Sequence, residues 1–504
     1  MQQLSAMDAS FVYLETPHTP MHIGSVAIYD PSTAPGGFVR FKDILSFVEA
    51  RLGGARSFRQ RLVRVPFDLD HPYWIEDPEF DLEFHVRHIA LPKPGDWRQL
   101  CIQAARLHSR PMDLTKPLWE FTVIEGLDNI PGLPPGCFAL VSKVHHAAID
   151  GMSGVEMSAA VHSITPDTTP PPGDDPWQAE NMPNVADLLA RSYFNSLIQP
   201  MRVMETIGRS LPGMGRLAAQ VRAGDVSLHN NRPAPKTRFN GKVGAHRVWD
   251  AVPFSLREIR AMKEAVPDAT VNDVILSIVG GGLRRYLQSK DELPRDTLTA
   301  MAPISVRQEN EKAAMGNLVS AMVIGLGTQI EDALERLRFV HEEAVNSKAM
   351  TNAVGAKTLS DYSQLMPSAL AGLGARLYTR VGGANAHAPI YNCVVTNVPG
   401  SRVPLYFCGA KMVGMYGAGP VFDSMGLINA VYSYGDTISV SFTCDRDMMP
   451  DPQNYAQALR ESYEALKEAV ARSGAAPAAP VSANENPPAR TRQRRAAGRK
   501  KQGG

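Results

Sequence analysis

The sequence predicts a mixed α/β chain built as more than one domain. Its 504 residues exceed what one ordinary hydrophobic core accommodates. Segments with the two-residue alternation of strands are interspersed with segments of helical spacing, and some of the strands adjoin as hairpins. A Pro-rich stretch, Thr165–Pro176, divides the two groups of elements. Strand and helix do not alternate as regular βαβ units, so a doubly wound nucleotide-binding sheet is not expected.

Residues 20–30 alternate as a strand, and Phe38–Leu52 follows as an amphipathic helix with Phe41, Ile44, Leu45, Val48 and Leu52 at helical spacing. Extended patterns cover Arg59–Val65 and Phe84–Leu91, where His85 and His88 read as ordinary strand residues. A helix spans Trp97–Ser109, and strands Trp119–Glu125 and Cys137–Val144 flank a Pro/Gly-rich turn. A further helix begins near Gly151 and runs to Ile164.

Beyond the linker, residues 185–222 carry Leu189, Tyr193, Leu197, Met204, Ile207 and Leu211 at helical spacing, with arginine dominating the charges. Pro200 and Pro212 interrupt this segment, which reads either as a packed crossover or as a membrane-surface helix. Helices follow at Val271–Gln288, Glu331–Met350 and Pro452–Arg472. Strands are expected near Thr299–Ile304, Val319–Leu326, Asn392–Thr396, Leu427–Tyr434 and Thr437–Thr443. The resulting division is 1–164, a crossover at 165–244, a second half at 245–472, and a tail at 473–504 that lacks apolar periodicity and reads as disordered.

Formal net charge is +1, which excludes a strongly basic nucleic-acid binder. The sum conceals an asymmetry. Seven basic residues against Glu485 give the tail +6, so the remainder carries −5. The 5 cysteines form no CxxC pair and are odd in number, which reads as reduced thiols in a cytosolic setting. No apolar run is long enough to span a bilayer, and the N-terminus lacks the pattern of a signal peptide. The expectation is a soluble or surface-bound protein.

One segment concentrates chemistry: Lys143-Val144-His145-His146-Ala147-Ala148-Ile149-Asp150-Gly151. A strand delivers two histidines into a loop, and Asp-Gly opens the next helix. An imidazole in a cleft can take a proton from a hydroxyl. A carboxylate can hold the turn, and glycine lets the backbone pass closely. The pair could instead be structural, or ligate a metal, although no further clustered His or Cys completes a shell.

His145-His146-x-x-x-Asp150-Gly151 resembles the HHxxxDG signature of the CoA-dependent acyltransferase superfamily. Further segments resemble the bacterial wax ester synthase/diacylglycerol acyltransferase family, actinobacterial triacylglycerol synthase type. They are Met7–Phe11, Phe80–Val86 with Leu91-Pro92, Arg110-Pro111 and Pro117–Glu120. Phe239–Gly241, Thr270–Val274, Pro303–Arg307, Gly316-Asn317, Thr396–Gly400, Tyr434–Asp436 and Cys444-Asp445 continue the series. The likeness runs in order over about residues 4–472 and omits the tail.

The resemblance implies two chloramphenicol-acetyltransferase-like halves with the active site where they meet. It implies an acyl-CoA:diacylglycerol O-acyltransferase forming triacylglycerol, with wax ester synthesis from a fatty alcohol as a second activity. His146 would be the general base, His145 would shape the site, and Asp150 would hold the loop, with Arg307 as its ion-pair candidate. Gly151 would leave room for substrate. Asn272, Thr396 and Asn397 would line the pocket, and Trp119 would wall the channel. Blander roles stand beside these: Asn272 as a helix cap, Asn397–Gly400 as a turn, Trp119 as core, and Arg307 as an ion pair without kinetic role. A thioester is an activated donor and no Gly-x-Ser-x-Gly elbow is present, so direct transfer without covalent intermediate, cofactor or metal is expected. Long-chain acyl-CoA and diacylglycerol or a long-chain alcohol are the expected partners, at the inner membrane face or a lipid inclusion. The competing readings are an acyltransferase of this fold with another acceptor and a catalytically silent lipid-droplet protein.

Overall fold

A computed structural model of the chain describes residues 1–149, 153–170, 180–197, 233–305, 319–354 and 388–474. Asp150, Gly151, Arg307, residues 198–222 of the arginine-bearing segment and the tail beyond Gly474 lie outside the described residues.

Among the described residues, two six-stranded sheets organise the fold. The first runs in the order Tyr406–Phe407, Ala410–Ala418, His22–Asp30, Phe138–His145, Trp119–Glu125, Val86–Ala90. It is antiparallel except at its Val86–Ala90 edge. The second runs Val319–Gly325, Thr299–Ser305, Cys393–Val398, Leu427–Tyr434, Thr437–Asp445, Arg247–Ser255, with Cys393–Val398 parallel to both neighbours. A small sheet joins Gln2–Gln3, Tyr73–Glu76 and Gln60–Val63.

Local sequence accounts for most elements. Trp119–Glu125 is buried on both faces, Glu120 and Thr122 included, as a strand inside a covered sheet requires. Helix Val271–Gln288 starts where Thr270 and Asp273 form a reciprocal capping box. Its three successive glycines, Gly280 to Gly282, face the backbone of Leu326 and the helix Pro452–Arg472. A Cβ on Gly280 would lie 2.1 Å from the Leu326 carbonyl oxygen, and one on Gly282 2.8 Å from Leu459. The missing side chains let these elements approach and bury a common core.

The strand Ala410–Ala418 lies within the second half by sequence, yet it pairs along His22–Asp30 in the first sheet. The next strand, Leu427–Tyr434, returns to the second sheet. Close packing fixes this crossing. A Cβ at Gly417 would lie 2.5 Å from the Tyr432 ring, the Trp249 indole N–H donates to the Gly417 carbonyl at 2.8 Å, and Ser439 Oγ donates to the Met415 carbonyl at 2.8 Å. Trp249 and Ala251 share one apolar cluster with Val26, Ala139 and Ala418.

Several expectations shift. His85 is not on a strand: it closes the short helix Leu82–His85, is fully buried, and its Nδ1–H donates to the Trp119 carbonyl at 2.7 Å. Sequence reading did not place the helix Ala6–Leu14 or the strands Arg247–Ser255 and Ala410–Ala418. All five cysteines are free and buried. Among the described residues no helix is long and apolar enough to cross a membrane.

Candidate active site

Strand Phe138–His145 ends by handing the chain to a 3-10 turn, His146–Ala148. Three backbone bonds set that junction. His145 N–H donates to the Leu118 carbonyl at 3.0 Å, His146 N–H to the Met21 carbonyl at 2.8 Å, and Ile149 N–H to the His146 carbonyl at 3.3 Å. Adjacent residues at a strand end point to opposite sides, so the two imidazoles enter different surroundings.

The His145 ring is fully buried. Its Nδ1 accepts from the Ala147 N–H at 3.1 Å, so the remaining proton sits on Nε2, which lies 3.1 Å from Glu15 Oε2. Both nitrogens are committed. Directly opposite on the neighbouring strand stands His22. Its Nε2–H donates to the His108 carbonyl at 2.7 Å, and the two rings meet edge to face at 4.7 Å. His108 Nε2–H in turn donates to the Gly419 carbonyl at 2.9 Å. Burial pushes the His108 imidazole down to about 3 and holds that of His22 well below its usual range. His22 and His108 are therefore neutral and packed, which suits scaffolding. No cluster of metal-ligating side chains occurs among the described residues.

His146 is different. Its ring is stacked at 3.9 Å and 11° on Phe11 of the helix Ala6–Leu14, which Ser5 caps. Neither ring nitrogen has a partner in another described residue, and Nδ1 is buried. Loss of water around the ring pushes the imidazole down to about 4; contact with its own carbonyl works against this, and His145 adds to it. At neutral pH the side chain is therefore a neutral base, uncommitted to any other described residue.

A cleft of about 230 Å³ is lined by Leu14, Thr19 and Met21 together with segments 389–391 and 422–425; His146 does not line it and is linked to it through Met21. Met21 thus both lines the cleft and holds the His146 backbone. Asn240, from the Phe239–Gly241 segment, is buried behind those two segments. Its amide donates to the Tyr391 and Ser424 carbonyls at 3.0 Å each, and its oxygen accepts from Asn392 Nδ2 at 2.9 Å.

The second cluster forms where helix Val271–Gln288 begins. Thr270 caps this helix, which frees Asn272 from the capping role. Asn397 Nδ2 donates to Asn272 Oδ1 at 3.4 Å. Strand alternation sends Thr396 to the opposite face, so only Asn397 of the pair meets Asn272. Among the described residues no hydrogen bond joins this cluster to His146. Trp119 is fully buried in the aromatic core with Phe58, Phe121 and His85, donates to the Phe58 carbonyl at 2.8 Å, and does not line the cleft.

Sequence reasoning did not single out Glu15 or His22, and it used Phe11 only as part of a resemblance. A signal existed: Ser5 followed by Asp8 marks a helix N-terminus that carries Phe11 and ends beside Glu15.

The model of the wax ester synthase/diacylglycerol acyltransferase catalytic domain matches residues 4–275, and that of the WS/DGAT C-terminal domain matches 315–467. A protein of Mycobacterium tuberculosis, provisionally named a diacylglycerol O-acyltransferase, is 31% identical over 93% of this chain and 90% of its own. The solved wax ester synthase/diacylglycerol acyltransferase from Marinobacter aquaeolei VT8 matches with a TM-score of 0.66 at 28% identity, over 94% of this chain and all of that one. The first condensation domain of the calcium-dependent antibiotic synthetase matches with a TM-score of 0.53 at 15% identity, over 95% of this chain and 97% of that one. That last likeness is one of fold, the arrangement of two acyltransferase-like α/β halves.

Proposed function

The chain belongs to the wax ester synthase/diacylglycerol acyltransferase family, and from that premise we propose that it is an O-acyltransferase that moves a long-chain acyl group from CoA to the hydroxyl of diacylglycerol, and also to that of a long-chain alcohol. The observation that carries this is His146, a neutral imidazole without a partner in another described residue, whose backbone N–H is bonded to Met21, a residue lining an apolar cleft.

The hydroxyl oxygen attacks the thioester carbonyl carbon while its proton passes to His146. The tetrahedral oxyanion collapses, the C–S bond breaks, and the imidazolium returns the proton to the CoA thiolate. The donor is already activated, so the step needs no cofactor or metal. Asn272 with Asn397, or Thr396, supplies hydrogen bonds to the oxyanion or the acceptor. The motif would give Asp150 and Gly151 the role of shaping the loop, with Arg307 as the ion-pair candidate; all three lie outside the described residues. Trp119 supports the strand that leads toward the motif.

Both acceptors are lipids, so catalysis takes place at a membrane or inclusion surface. Exposed Tyr193, Phe194 and Leu197 on the helix over 185–197 support that placement.

Purified protein incubated with labelled palmitoyl-CoA and either diacylglycerol or hexadecanol should give triacylglycerol and wax ester. His146→Ala should lower turnover by roughly 10²–10⁴-fold. Full activity in His146→Ala would remove the base from the mechanism, and no product with either acceptor would remove the function.

A further inference from the structure

We propose that Glu15 is a positioning residue for acyl transfer, acting through His145 on the turn that presents His146. The proposal rests on the function given above.

Glu15 is the residue at which the helix Ala6–Leu14 ends, its backbone N–H donating to the Phe11 carbonyl at 3.2 Å. Its side chain is 8% exposed, and Oε2 lies 3.1 Å from Nε2 of the fully buried His145 ring. Burying a carboxylate is costly unless a partner compensates, and His145 is the hydrogen-bond partner that the described residues provide. Oε1 is also buried and has no partner among the described residues.

The contact fixes geometry in two ways. The Ala147 N–H occupies Nδ1, so Glu15 receives the Nε2 proton and selects a single tautomer and ring orientation for His145. That ring in turn holds the first amide inside the turn that starts at His146. The same short helix carries Phe11, which stacks on the His146 ring. One element therefore holds both imidazoles, one by a hydrogen bond and one by a face. Leu14 and Met21 place the cleft next to this junction. Small displacements of a base lower turnover more than binding, because only the transition state needs the alignment.

The test compares Glu15→Ala and Glu15→Gln in the purified full chain. With palmitoyl-CoA and diacylglycerol, Glu15→Ala should lose roughly 10²-fold in kcat while KM for palmitoyl-CoA stays within about threefold. Glu15→Gln offers an amide oxygen to the Nε2 proton and should recover most of the loss. Thermal unfolding is followed in parallel. A fall in kcat that tracks a fall in Tm, equal in both variants, would overturn the proposal, as would an Ala variant with unchanged kcat. Histidine-selective ¹⁵N spectra give a readout independent of activity. His145 should show the Nε2–H tautomer in the wild type and lose it as the dominant form in Glu15→Ala. An active wild type with an unaffected Ala variant refutes the role of Glu15. An inactive wild type refutes the function instead, and the spectra still decide the contact.

Discussion

Replacing Phe11 with alanine tests whether burial sets the state of the base. In the folded chain the His146 imidazole stands at about 4 against an ordinary 6.5, chiefly because the ring has lost water. That difference is worth about 3 kcal/mol at roughly 1.36 kcal/mol per pH unit. Phe11 covers one ring face at 3.9 Å, so Phe11→Ala admits water and moves the imidazole up toward 6.5. The assay is kcat/KM for palmitoyl-CoA from pH 4.5 to 8, followed by CoA release, with circular dichroism at each pH. The wild type should be flat from neutral pH down to about 5, because the neutral form prevails above about 4. Complete relief would leave about 3% of the imidazole neutral at pH 5, an acid-side loss approaching 30-fold relative to pH 8. A wild-type limb already centred near 6.5 would refute the burial argument. An unmoved limb in Phe11→Ala would show that the stack is not what excludes water.

Stability should fall with acid through His108, whose imidazole lies at about 3 when folded and 6.5 when free. The unfolded state then binds the extra proton, so stability is intact above 6.5 and declines by about 1.4 kcal/mol per pH unit below it; His108→Gln should remove one proton from the slope measured by denaturant unfolding. Asn240→Ala leaves the Tyr391 and Ser424 carbonyls without their amide donor and should cost about 2–4 kcal/mol, with a raised KM as the cleft wall loosens. Gly280→Ala drives a Cβ to 2.1 Å from the Leu326 carbonyl and should cost about 1–3 kcal/mol or more, read as a lower Tm.

Much of the fold was legible wherever the signal is local. Helix Val271–Gln288 carries its cap and its apolar spacing in its own residues, and Leu427–Tyr434 and Pro452–Arg472 announce themselves in the same way. Ala410–Ala418 does not. With glycines at 414 and 417 it resembles a loop, and it becomes a strand because His22–Asp30, nearly 400 residues earlier, offers an edge to pair with. His85 went astray because its short helix is capped by Asp81 within a run that alternates like a strand.

By itself the sequence determined the strand-loop that presents His145 and His146, the family, and the residues from which a second cluster at Asn272 and Asn397 is built. Tertiary structure decided which histidine is held by the side chain of another described residue. His145 is held by Glu15, 130 residues away, and His146 is covered by Phe11. It also decided that Trp119 belongs to the core and that Thr270, not Asn272, caps the helix. The reason is range. Backbone preferences and caps act over a few residues and can be read along the chain, whereas hydration, ring stacking and strand pairing depend on neighbours that only folding supplies.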